Sequence, residues 1–268
     1  MKPPDHPDPN ARISLTFHGD TTDLLRRAPE VDRTIIYPLI RRASIKDIIE
    51  GLGVPHTEVG RIVLDGREQT FEKIAGDGAH FDIHPLSPAL PPTITTILRP
   101  DPLSACIFLV DINVGRLAGL LRMAGFDAET IGPDTADTAT VLRAIREGRI
   151  LLTRNRDLLK HRKLVFGRLV RSQNPERQVK EIINLYSLED RLQPFSRCIA
   201  CNGMLAEVQK DAIIDRLLPL TKKYFHRFRQ CSGCNNIYWH GSHHDKMTSK
   251  IAMILGTPFN KNEEIQGE

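Results

Sequence analysis

The apolar positions of this chain change period several times, and each change predicts an element. Residues 11–19 alternate, with Ile13, Leu15 and Phe17 on one side and Ser14, Thr16 and His18 on the other, which predicts a half-buried strand. A second strand is expected over 33–40. Ile45, Ile48, Ile49 and Leu52 then recur at helical spacing behind Ser44-Ile45-Lys46-Asp47, a capping box with Asp in the place of Glu, and Gly53 and Pro55 end that helix. Asp65-Gly66 follows Ile62-Val63-Leu64 as a hairpin signal, and Phe81 and Ile83 alternate in a last strand before Pro85.

From residue 107 the pattern becomes that of an α/β layer. Ile107, Phe108, Leu109 and Val110 form a continuous apolar run, as a parallel strand buried on both faces requires, and Asp111 ends it. Leu117, Leu120, Leu121 and Ala124 then mark a helix that stops at Gly125. A short strand is expected over 126–128, a helix opening at 135–137 and carrying Val141, Leu142 and Ile145, and a buried strand over 149–153. A further strand at Leu169-Val170 and a helix over 175–186, with Val179, Ile182, Ile183 and Tyr186 inside, complete the alternation.

Composition divides the chain. Of its 18 prolines, one cluster falls in the first ten residues and another in 85–102, which reads as an extended spacer between folded parts. The expected organisation is a disordered tail over 1–10, a β-grasp domain over 11–86, a Pro-rich linker over 87–104, an α/β domain over 105–190, a Cys-rich segment over 191–248 and a tail over 249–268. No apolar run approaches the roughly 20 residues needed to span a bilayer. MKPPDHPDPN also lacks the apolar core of a signal peptide, so a cytoplasmic protein without a membrane partner is expected.

Net charge is only +4, but residues 143–180 hold twelve Lys or Arg against the three acids Glu147, Asp157 and Glu176. An excess of nine positive charges is the footprint of a phosphate backbone, with a solvated basic face as the alternative.

Candidate chemistry falls at two places. In an open α/β sheet, ligands bind beyond the carboxyl ends of the strands, and there Asp111, Asp137, Asn155 and Asp157 are expected to converge. Converging acids repel unless a cation lies between them, and hard ions take oxygen ligands, so Mg or Mn is expected on Asp111, Asp137 and Asp157. Arg116, Arg154 and Arg156 would hold the phosphates of a nucleic-acid backbone. A strand-ending Asp that only caps the next helix is the alternative. The second place is Cys198-Ile-Ala-Cys201 with Cys231-Ser-Gly-Cys234, two C-x-x-C pairs that predict a four-cysteine zinc site. The 29 residues between the pairs carry Val208, Ile213, Ile214, Leu217 and Leu218 and should fold as a helical elaboration. Tyr238 and Trp239 are expected to bury against the zinc core, with base stacking as the alternative, and His240, His243 and His244 to be structural or to touch RNA rather than to ligate. Cys106 is expected to be inert core.

Three stretches carry family resemblances. GLGVPHTEVGRIVLDG resembles the ubiquitin-like module, related to sulfur carriers, that precedes some RNase domains. Sulfur carriers need a free C-terminal Gly-Gly, whereas this chain runs on through Leu86-Ser87-Pro88, so a docking surface, an RNA-facing surface or a structural cap is implied instead. FLVDINVGRLAGLLRMAGFDA with GRILLTRNRDLL is similar to the PIN-like RNase domain of the Mut-seven C-terminal type, whose acids fall here on Asp111 and Asp137, with Asn155 where a further acid is usual. SRCIACNGML and CSGCNNIYWHGSHHDKM resemble the zinc ribbon that this family often carries. The resemblance implies a three-layer PIN-like α/β domain with a parallel sheet, a ubiquitin-like β-grasp before it and a zinc ribbon after it. It also implies a Mg- or Mn-dependent ribonuclease, with Asn155 ligating or orienting water. The competing reading is a non-catalytic RNA- or ribosome-binding adaptor with a degenerate nuclease site, and under either reading the ubiquitin-like module would dock a protein or the ribosome.

Overall fold

The apolar alternation of the N-terminal segment is realised as a mixed sheet in the computed structural model, which describes residues 10–29 and 33–256, apart from the side chains at 242, 243, 245 and 255. In chain order the elements are β1 (Arg12–Phe17), β2 (Thr34–Pro38), α1 (Ile45–Gly51), β3 (Val59–Leu64), β4 (Arg67–Glu68), β5 (His80–Pro85), β6 (Phe108–Val110), α2 (Gly115–Met123), β7 (Ala128–Thr130), α3 (Asp137–Arg146), β8 (Ile150–Thr153), α4 (Arg156–Leu159), β9 (Gly167–Leu169) and α5 (Pro175–Tyr186). Then come β10 (Leu205–Val208), α6 (Lys210–Ile213), α7 (Pro219–Tyr224), β11 (Phe228–Cys231), β12 (Ile237–Trp239) and α8 (Ser242–Leu255).

These elements fall into two compact units. The first holds the described residues up to Cys106 together with Pro133–Leu169 and Leu185–Ser187; the second holds Ile107–Gly132, Val170–Asn184 and the described residues from Leu188 onward. In the first, the sheet order β2-β1-β5-β3-β4, with β1 and β5 parallel, is that of a ubiquitin-like β-grasp. Ile13, Leu15, Phe17, Phe81 and Ile83 are buried, as are Ile45, Ile48 and Ile49 of α1, whose Ser44 hydroxyl accepts the Asp47 N–H as an N-cap. Asp65 and Gly66 both have positive φ, 51° and 76°, the pairing of a tight two-residue hairpin. The same unit contains α3, the parallel pair β8 and β9, and α4.

One expectation for this unit is corrected. The segment over 87–104 is not a free spacer, because Arg99 is buried and donates to Val59 O at 2.9 Å and Thr57 O at 3.0 Å. Burial brings that guanidinium down to about 10 without neutralising it. The inner face of α3 is Thr140, Val141 and Ala144, whereas Leu142 and Ile145 are exposed, 48% and 42%.

The spelling HTEVG turns out to be a junction. His56, Thr57 and Glu58 are buried, and His56 Nε2 donates to Leu164 O at 2.6 Å. The Glu58 carboxylate accepts the Leu169 N–H at 2.6 Å and the Arg168 guanidinium at 2.8 Å, and Arg168 also reaches Asp20 at 3.0 Å. Gly60 is required there, since a Cβ would stand 2.3 Å from Pro85 O. The β-grasp is thus packed as a cap on the β8–β9 segment.

In the second unit β6 and β7 pair in parallel, with Phe108 edge-on to Phe126 at 6.4 Å. β7 begins at Ala128, two residues beyond the expected start. The C-terminal segment forms the antiparallel sheet β10-β11-β12, with α6 and α7 as the expected helical insertion. A small core of Ile213, Leu217 and Phe228 lies there, with Phe225 and Trp239 packed against it. α8 runs through 249–255, a stretch assigned above to the tail. The expectations for 1–9 and 257–268 lie outside the described residues. Among the described residues, no helix is long and apolar enough to cross a membrane.

Candidate functional site

The four cysteines come together because two matching loops face each other. Cys198-Ile-Ala-Cys201-Asn202 and Cys231-Ser-Gly-Cys234-Asn235 each end on an Asn of positive φ, 70° and 60°, a conformation Asn tolerates. In each the Asn N–H returns to the first Cys carbonyl, at 2.9 and 3.1 Å. Gly203 lets the loops meet, since a Cβ would lie 2.8 Å from Cys231 Sγ. All four sulfurs lie within 4.8 Å of one another. Cys198 and Cys234 are 3.6 Å apart, and Cys201 and Cys231 3.3 Å. A disulfide requires about 2.05 Å. Four sulfurs about 2.3 Å from a zinc ion would stand about 3.8 Å apart, so the residues fit a structural Zn site.

The surroundings also favour thiolates. Burial raises Cys231, but the N–H groups of Cys234 and Gly233 outweigh it and bring the thiol down to about 6. Cys198 is lowered too: burial opposes, and the Tyr238 hydroxyl at 3.0 Å prevails. The Asn236 N–H draws Cys234 down, yet the neighbouring sulfurs push it up to about 12, because adjacent thiolates repel until a cation neutralises them.

Two residues that the sequence reading passed over hold the first loop. Arg122, buried on α2, donates to Ala128 O at 2.7 Å, Ile199 O at 3.0 Å and Ala200 O at 2.9 Å. Asn202 accepts the Ala128 N–H at 3.1 Å and donates to Asp127 at 2.9 Å and Glu129 at 3.0 Å. An Arg inside the apolar stripe of a helix, flanked by Leu121 and Met123, was the available signal. His240 and His244 stack on each other at 4.1 Å outside the cysteine group; the His243 side chain lies outside the described residues. Cys106 is half-buried rather than core.

The acids have different settings. Asp111 ends β6 at 8% exposure and accepts the Asn113 amide at 2.7 Å, and its side chain makes no cap bond to the helical turn that follows. Asp137 is exposed at the first position of α3, where Ala136 is the N-cap. Asn155 is the N-cap of α4, its Oδ1 accepting the N–H of exposed Asp157 at 3.0 Å. Asp111 belongs to the second unit, and Asp137, Asn155 and Asp157 to the first.

The basic stretch is partly spent internally. Arg143, Arg146 and Arg149 all contact Glu147, which burial would raise but these three guanidiniums lower. Arg168 is buried on Glu58, and Arg156 donates to Leu24 O at 2.9 Å. Arg116 and Arg154 are exposed.

Comparison with family models agrees with this architecture. Residues 10–90 match the Mut7-C ubiquitin model, and residues 107–251 match the Mut7-C RNAse domain model. Comparison with curated proteins gives no match, and neither does comparison with solved structures. Since the second model spans more than half of the chain and reaches from β6 into α8, the chain belongs to the Mut7-C RNase domain family.

Proposed function

We propose that the protein is a metal-dependent ribonuclease that hydrolyses RNA phosphodiester bonds, with Asp111 as its principal carboxylate. The supporting observation is that Asp111 stands at the carboxyl end of β6, is largely removed from solvent, and is not spent on capping the turn it precedes. Keeping a carboxylate out of water costs free energy, and functional sites are where that cost is commonly met. Asp137 and Asp157 are the further carboxylates assigned to Mg or Mn, and all three offer the oxygen donors such ions take. Asn155 Oδ1 already accepts one N–H, and its second lone pair would ligate or orient water. A divalent ion held by these oxygens would supply an activated water and positive charge for the phosphodiester transition state. Exposed Arg116 and Arg154 would hold phosphate oxygens, and the four-cysteine site would carry zinc as a structural ion.

A second reading has one observation in its favour: Asn155, standing where the family pattern has an acid, serves as a helix cap, so the chain would be an RNA-binding adaptor without chemistry. Cleavage of a mixed RNA pool with Mn or Mg decides. Wild type should cleave, Asn155→Asp should cleave faster, and Asp111→Asn should lose more than the roughly 10–100-fold that loss of an outer-shell partner costs, with RNA binding retained. If wild type and Asn155→Asp both bind RNA and neither cleaves it, the adaptor reading replaces the nuclease.

A further inference from the structure

We propose that a cavity in the C-terminal sheet takes one unstacked nucleotide of single-stranded RNA, its base against aromatic rings and its phosphate against arginine. The inference rests on the RNA reading above, and adds to it a site outside the acids and the cysteines. The cavity measures about 360 Å³, lies wholly within the second unit, and is bordered by the end of α7, by β11, β12 and the first turns of α8. That volume falls in the roughly 300–1,000 Å³ range of small-molecule sites.

Its lining is richer in aromatic rings than folding requires. The local core is already supplied by Ile213, Leu217 and Phe228, and Phe225 and Trp239 lay part of their surface on it while remaining half-buried. Their ring centroids are 6.2 Å apart at 48°, and both rings also line the cavity. Tyr224, at the mouth, is 61% exposed. An aromatic left in water at the rim of a cavity is the arrangement of a stacking platform, and every base offers a π-face to such a ring.

Charge selects an anionic occupant. Arg197, Arg227 and Arg229 line the cavity, with Glu207 as the acid among its described lining residues. Arg229 is steadied by donation to Phe195 O at 3.3 Å, whereas Arg197 donates to Asn202 O at 3.0 Å and is also paired with Asp127 at 3.5 Å, so Arg229 and Arg227 carry most of the charge offered to a ligand. Arg227 is exposed on the segment leading into β11. Rings beside arginines suit a ligand that is both flat and anionic. Single-stranded RNA meets both conditions, whereas the bases of a duplex are already stacked on one another.

The only tryptophan of the chain, Trp239, lines this cavity and provides the readout. The full-length protein is titrated with a short 5′-labelled single-stranded RNA of mixed sequence, while label anisotropy and tryptophan emission are followed together. The expected result is quenching of Trp239 with the same midpoint as the anisotropy change, and none with the duplex of the same sequence. Tyr224→Ala should weaken single-strand binding by about 5- to 150-fold, the value of one stacked base, with unchanged melting temperature because the ring is exposed. Arg227→Glu should weaken it as well. If RNA raises the anisotropy while Trp239 emission and the Tyr224→Ala affinity stay unchanged, the cavity is not the site and the RNA reading stands. If no RNA binds at all, both fall. If a polyglutamate peptide quenches as strongly as RNA, the occupant is an acidic protein segment and the proposal is overturned.

Discussion

Arg168 and Arg122 are both buried and both lie within the segment matched to the RNase domain, yet Arg168 grips the β-grasp that precedes this segment and Arg122 grips a cysteine loop within it, through different chemistry. Arg168, in the first unit, meets a carboxylate of the β-grasp, with the two side chains 5% and 1% exposed. Arg122, in the second, meets three backbone carbonyls, two of them on the loop between Cys198 and Cys201. A carboxylate cancels the guanidinium charge but must itself be desolvated, so either partner alone is costly. Carbonyls carry no net charge and are already fixed by the backbone, so this anchor is as firm as the loop that presents them. The first junction is therefore self-contained, and the second depends on whatever holds the cysteines.

The largest expected effect tests that dependence. A structural zinc site contributes about 10–16 kcal/mol of apparent folding energy, so Cys231→Ser or chelation should open the second unit to protease and leave the β-grasp resistant. Metal analysis of the purified protein should return one equivalent of zinc. Chelation that leaves the 188–256 segment protected would erase the contrast between the two junctions.

Arg168→Met should cost about 3–5 kcal/mol by urea unfolding, because Glu58 is left buried without its counter-charge, and adding Glu58→Gln should return most of the loss. A double variant no more stable than the single would show that packing, not charge, sets this junction. Arg122→Met should cost less, about 1–3 kcal/mol, since uncharged carbonyls are orphaned, and its zinc should become easier to chelate. An equal or larger loss than for Arg168→Met reverses the comparison.

The smallest effect concerns pH. Burial, with stacked His18 and nearby Arg61, lowers His84 from 6.5. Because the folded pKa lies below the unfolded one, the unfolded chain takes up the proton first as pH falls. This contribution to the first unit is therefore present above 6.5 and lost as pH drops through the folded value. His84→Asn should flatten the melting-temperature profile below pH about 6.5 relative to wild type. An unchanged profile would mean that other groups carry the acid sensitivity.

How far these features could be read in advance depended on how local their causes are. The Ser44 cap, the Asp65-Gly66 turn and α5 were legible, because each follows from a few neighbouring residues. The cysteine pairs were legible for the same reason: each C-x-x-C loop shapes itself, and only their meeting needed the chain between. The orientation of α3 was not, because Leu142 and Ile145 satisfy the helical period as well as Thr140 and Ala144 do. Asn155 reads as a ligand by alignment with an acidic pattern, and its role as a cap emerges only with α4, four residues long and without periodicity.

By itself, then, the sequence determined the β-grasp, the α/β alternation, the four-cysteine cluster and the family, all of which rest on short-range spacing or on spelling. Tertiary structure alone decided that Glu58 would meet Arg168, that Arg99 would pin the Pro-rich segment, that Arg122 would carry the first cysteine loop, and that rings from α7, β11 and β12 would border one cavity. The reason is physical. A buried charge must find a partner wherever the fold brings one, and the 110 residues separating Glu58 from Arg168 leave no periodic trace of that requirement along the chain.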